Sequence, residues 1–79
     1  MKFLIELSKI STENRITLAR ETEDIQLLEA LAVDSSNDVK IAVARNTKTS
    51  IVILNALMLD KNDLVAKTAF CTWRKKAIK

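Results

Sequence analysis

Apolar residues recur along this chain in steps of three and four. Val39, Ala42 and Val43 form one stripe, Ile53, Leu54, Leu57 and Met58 a second, and Ala66, Ala69, Phe70, Trp73 and Ala77 the most regular. Leu27, Leu28, Leu31 and Ala32 form a fourth, Phe3, Leu4, Leu7 and Ile10 a fifth, and Ile16, Leu18 and Ala19 a weaker sixth. Such steps set side chains on one face of an α-helix, which turns once in about 3.6 residues. Between the stripes lie STEN, ETED, DSSND, NTKTS and DKND. Ser, Thr, Asn and Asp side chains accept hydrogen bonds from the free N–H groups of a helix start. The pattern therefore predicts about six short helices.

The chain also repeats itself at intervals of about 25 residues. An acid recurs as Glu13, Asp38 and Asp63, an alanine as Ala19, Ala44 and Ala69, a threonine as Thr22, Thr47 and Thr72. The acid falls in a first turn, where it meets the positive end of the helix dipole. A second segment repeats as LLEALAVD and ILNALMLD, so that Leu28, Leu31 and Asp34 match Leu54, Leu57 and Asp60. The offset wobbles between 24 and 26, because the connecting loops differ by a residue. The helices thus fall into three pairs, with units of roughly 2–22, 23–47 and 48–79. A short helix cannot bury its apolar face alone, and stacking equivalent pairs buries a continuous core. The expected fold is all-α, a short α-solenoid of about three helical-pair repeats, with Leu31 and Leu57 facing inward between layers.

The residues from Val39 to Asp60 resemble the variant leucine-rich repeat, a helical relative of the HEAT-type repeats. That family's unit reads roughly V-R-x-x-V-A-x-N-P-x-T-P-x-x-x-L-x-x-L-A-x-D. Val39, Lys40, Val43, Ala44, Asn46, Thr49, Leu54, Leu57 and Asp60 take the matching places. Thr47 and Ser50 stand where the family has proline, and Met58 where it has a small residue. In the preceding unit Arg15, Leu18, Ala19, Leu28, Leu31, Ala32 and Asp34 match, with Glu21 in place of Asn and one residue missing. The third unit keeps little beyond Ala69. The resemblance implies a right-handed superhelical stack with one helix of each pair partly 3-10. The missing prolines leave plain α-helix pairs of HEAT type as the alternative. No single activity is implied, since fold does not fix function.

Composition narrows the chemistry. There is no His, Tyr, Gly or Pro, and one Cys. Without His the common base and metal ligand is missing, and without Gly no glycine-rich phosphate loop can form. A lone cysteine excludes a cysteine-ligated cluster or zinc site. Cys71, beside Phe70 and Trp73, reads as a small buried hydrophobe rather than an activated thiol. The carboxylates Glu21, Glu23 and Asp24, and Asp34 with Asp38, read as helix-start acids. An enzyme, a cofactor and a metal are not expected. The apolar start MKFLIELSKIS is interrupted by Glu6 and is too short for a signal peptide, and no run approaches a membrane span. With no disulfide framework, the cytoplasm is the expected location.

Charge is what remains. Residues 1–38 hold four basic and eight acidic residues, net −4, whereas residues 39–79 hold nine and two, net +7. Two basic pairs follow the repeat, Arg15 with Lys40 and Arg20 with Arg45. In a stack each pair becomes a short row, which could attract phosphates or an acidic protein. The bland alternative is that helix faces are solvated and that basic residues favour a helix end. Both rows stop after two repeats, at Val65 and Phe70, and no aromatics interleave them for base stacking. Arg74, Lys75 and Lys76 extend the basic end beside Trp73, which could anchor a partner or simply close the stack with Phe70. The first stripe, with Ile5 added, is more apolar than one face needs, so Phe3 and Ile5 could meet a second copy in a homodimer. The expectation is a non-catalytic binding or adaptor module with a protein partner. The alternatives are a nucleic-acid-binding accessory protein using the basic half, and a self-associating structural module.

Overall fold

The computed structural model describes residues 7–77, and Ser8 only in its backbone. Within that range the chain is all-helical. A 3-10 turn, Leu7–Lys9, precedes α1 (Thr12–Glu21), α2 (Ile25–Leu31), α3 (Asn37–Arg45), α4 (Ile51–Leu57) and α5 (Asp63–Ala77). The first expected helix therefore falls largely outside the described residues, and Leu7–Lys9 is 3-10 rather than α. The five later stripes all form α-helices, including the second helices whose 3-10 character the resemblance implied.

The polar clusters start these helices as their chemistry requires. Ser11, Ser36 and Ser50 each accept from the N–H three residues on, at Asn14, Val39 and Ile53, and Asn62 does the same for Val65 at 3.0 Å. Asp24 accepts from Gln26 and Leu27. Each cap satisfies donors that the helix cannot pair internally. The helix ends show how a chain without glycine stops. None of the described residues has positive φ. At Thr22 and Asn46 the chain leaves by switching to extended backbone. At Ala32 and Met58 it stays right-handed, and Asp34 N–H bonds Leu31 O as Asp60 N–H bonds Leu57 O. These tight bonds satisfy the last carbonyls without the left-handed residue that favours glycine.

Helices α1, α3 and α5 pack side by side, α2 lies against α1 and α3, and α4 against α3 and α5. The shortest extent, 17 Å, fits two layers of helices. Between the layers lie Leu28, Leu31, Val39, Val43, Ile53, Leu54, Leu57, Val65 and Ala69, with Ala19, Ala42 and Ala44 where helices approach. Leu31 and Leu57 are buried as the repeat phasing expects.

Helix α5 corrects the sequence reading twice. Of the expected stripe only Ala69 is buried, together with Val65 and Thr72, which the stripe left out. Phe70 is 45% exposed, while Trp73 packs partly against the core. Apolar residues cover two adjacent faces of α5, and residue types alone select the wrong one. The register differs as well. Asp34 and Asp60 accept from the N–H groups of Ser36 and Asn62, and Ser36 and Asn62 cap the next helix. That offset of 26 aligns buried Val39, Val43 and Asn46 with buried Val65, Ala69 and Thr72. Ala69 is thus the counterpart of Val43, and Phe70 the counterpart of Ala44.

Candidate partner-binding surface

Two sides of α3 are committed to neighbours. On one side Asn46 is buried, and its Nδ2 donates to Ala19 O at 2.9 Å and Thr22 O at 2.8 Å. Its Oδ1 accepts from Lys48 N–H, so one amide fixes its own loop and the end of α1. On the opposite side Lys40 Nζ donates to Asp60 Oδ2 at 2.7 Å. The equivalent pair one unit earlier is Arg15 Nε to Asp34 Oδ2, also 2.7 Å, with Nη2 on Oδ1 at 3.3 Å. Arg15 also donates to Ile10 O. All four charged side chains are less than one fifth exposed. The bond from Lys40, then the Asn62 N–H, hold the Asp60 carboxyl below its ordinary 3.8, against an opposing effect of burial. The first expected basic row, Arg15 with Lys40, is therefore two ion pairs set into the fold.

The second row is different. Arg20 and Arg45 are exposed in the last turns of α1 and α3, and among the described residues neither makes an ion pair. With Ile16, Ile41, Ala42 and Asp38 they line a depression of about 250 Å³ between the two helices. Its lining joins three apolar side chains to two guanidinium groups and one carboxylate. The structure brings Arg20 and Arg45 together in one site and keeps Arg15 and Lys40 out of it.

The basic end divides too. Lys76 Nζ donates to Thr47 O at 2.7 Å. Arg74 lies 5.9 Å from the centroid of Phe70, and Phe70 stacks on Trp73 at 6.1 Å and 17°. Lys75 is exposed. Cys71 is exposed as well, contrary to the buried role expected for it, because it sits on the outer crest of α5 rather than on the face carrying Val65, Ala69 and Thr72. Phe3 and Ile5 lie outside the described residues.

Two features of this surface are not legible in the sequence. Asn46 was visible only as a motif position; its buried double bond to α1 needs the fold. The exposed Phe70 was hidden by the one-residue slip in register. No helix among the described residues is long and apolar enough to cross a membrane, and no group of three His, Cys, Asp or Glu there could hold a metal. Comparison of the chain with protein-family models, curated proteins and solved structures returns no match to any of the three.

Proposed function

We propose that this chain is a short right-handed α-solenoid of the HEAT or variant leucine-rich-repeat kind, acting as a non-catalytic module that binds an acidic protein partner. The alternation of α1, α3 and α5 in one layer with α2 and α4 in the other supports the solenoid. So do the repeated ion pairs and caps, since equivalent bonds between successive units are what a stack of repeats requires. The binding reading is carried by one observation. Arg20 and Arg45, one from each of two equivalent helices, make no ion pair among the described residues and share one depression with Ile16 and Ile41. Arginine beside apolar surface suits a carboxylate-bearing protein segment, because guanidinium groups take carboxylates in bidentate pairs.

The test is capture from nuclease-treated extract of the source cell by the wild-type chain and by an Arg20→Glu/Arg45→Glu variant. An acidic protein held by the first and lost by the second is expected. Retention of the same protein by the variant overturns the assignment of this face. A second reading, nucleic-acid binding, is favoured by the absence of any acidic residue after Asp63. Affinity for random-sequence single strands with a log–log salt slope of about −3 would favour it, as expected for roughly four neutralised phosphates.

A further inference from the structure

The side of α5 that carries Ala66 and Phe70 is the side on which α1 and α3 each meet their next neighbour. In those helices the stripe begins with Arg15 or Lys40, bonded to Asp34 or Asp60. One turn later come Ala19 and Ala44, both fully buried. A small residue there lets the following helix approach closely. In α5 the same stripe reads Ala66, Phe70 and Trp73, and no further helix follows among the described residues. Phe70, Ala66, Lys67 and Cys71, with Met58 from the end of α4, line an open depression of about 440 Å³. Phe70 stacks on Trp73 and carries the Arg74 guanidinium over its ring.

The chemistry of this face specifies an occupant. Its apolar lining is Phe70, Met58, Ala66 and Cys71, and Arg74 lies over the Phe70 ring. Aromatic residues, Met and Arg are the types enriched at interfaces. Lys67 in its lining and Arg74 over Phe70 make no ion pair among the described residues, and α5 holds no acid after Asp63. An occupant must therefore bring apolar side chains for the depression and negative charge for its rim. A second copy stacked as a further repeat does not fit, because Phe70 fills the space that Ala19 and Ala44 leave open. We infer that this end face docks an acidic amphipathic helix of another protein, at a site separate from the Arg20–Arg45 depression.

The probe is a labelled synthetic helix with leucines on one face and glutamates on the other. Its controls are the same leucine pattern with lysines and a scrambled acidic sequence. Fluorescence anisotropy gives affinity, and the rate at which a disulfide reagent modifies Cys71, the single thiol, reports occupancy of the depression. The acidic amphipathic helix should bind at least about tenfold more tightly than either control and slow Cys71 modification. Phe70→Glu should weaken binding about tenfold or more, with the far-UV circular dichroism unchanged because the residue is half exposed. Arg20→Glu/Arg45→Glu should leave this binding intact, so the two sites can fail independently. No binding, equal binding of the scrambled peptide, indifference to Phe70→Glu or an unprotected Cys71 would each overturn the inference. So would sedimentation showing a dimer that Phe70→Glu dissolves, which would make a second copy the occupant. If Phe70→Glu does not fold, Lys67→Glu and the Cys71 rates on the wild-type chain decide the question.

Discussion

Helices α3 and α5 carry one pattern in two situations. Helix α3 has a neighbour on either side, and nearly every repeated position in it is used. Asn46 holds the end of α1, Lys40 holds Asp60, and Ala44 is fully buried. Among the described residues helix α5 has one neighbour in its layer, α3. Its core positions Val65, Ala69 and Thr72 keep their burial, but the adjacent stripe becomes half-buried Ala66 and exposed Phe70. The repeat is therefore kept where a layer covers it and diverges where none does. Divergence on that side leaves Phe70 45% exposed where its counterpart Ala44 is fully buried.

The largest effect should separate the shared core from the divergent face. Leu31→Ala or Leu57→Ala removes a fully buried side chain between layers and should cost about 2–5 kcal/mol. Phe70→Ala, half exposed, should cost less than about 1 kcal/mol. Urea denaturation followed by circular dichroism measures all three. Equal losses at Leu57 and Phe70 would break the contrast between covered and uncovered faces.

Next comes the joint between α1 and α3. Asn46→Ala leaves Ala19 O and Thr22 O without their donor in a largely buried place, at a cost of about 2–3 kcal/mol. Thr72→Ala, at the corresponding position of α5, makes no such bond to the preceding unit and should cost clearly less. A loss at Asn46 no larger than at Thr72 would show that the amide is incidental to the joint.

The ion pairs should give a smaller effect with a pH signature. Folding lowers the Asp60 pKa below 3.8, chiefly through Lys40. The unfolded chain therefore holds that proton more tightly. The stabilisation is fully present above the unfolded value and is lost as pH falls through 3.8 and then the lower folded value. Lys40→Met should cost about 1–2 kcal/mol at pH 7 and flatten the acid limb of the stability curve. An unchanged acid limb in that variant would remove Lys40 as the cause of the shift.

These contrasts also show what was legible in the sequence. Helix positions, caps and the Leu31–Leu57 core were readable because local spacing and cap chemistry act within a few residues. The Arg15 and Lys40 roles were not, since their partners lie 19 and 20 residues away and the distance closes only in the fold. In sequence they looked the same as Arg20 and Arg45, which remain exposed. The face of α5 was misread because two of its faces are apolar, and composition cannot say which one has a neighbour. A one-residue slip in register then hid the equivalence of Phe70 with Ala44.

The smallest expected effect sharpens the comparison furthest. After α1, the exit carbonyl of Thr22 is taken by the buried Asn46. After α3, the exit carbonyl of Thr47 is taken by Lys76, from the last turn of α5, at an exposed site. Both bonds tie one helix of the α1, α3, α5 layer to the loop that leaves its predecessor, but water can replace only the second. Lys76→Ala should therefore cost less than about 0.5 kcal/mol, since an exposed hydrogen bond exchanges nearly evenly with solvent. Hydrogen exchange at the amides of residues 46–50 should rise slightly if the lysine steadies that loop. A loss above about 1 kcal/mol would mean that the α3–α5 joint depends on its polar bridge as the α1–α3 joint does. The α3–α5 joint would then be built by the same rule as the α1–α3 joint, with a lysine from the final turn of α5 standing in for the asparagine.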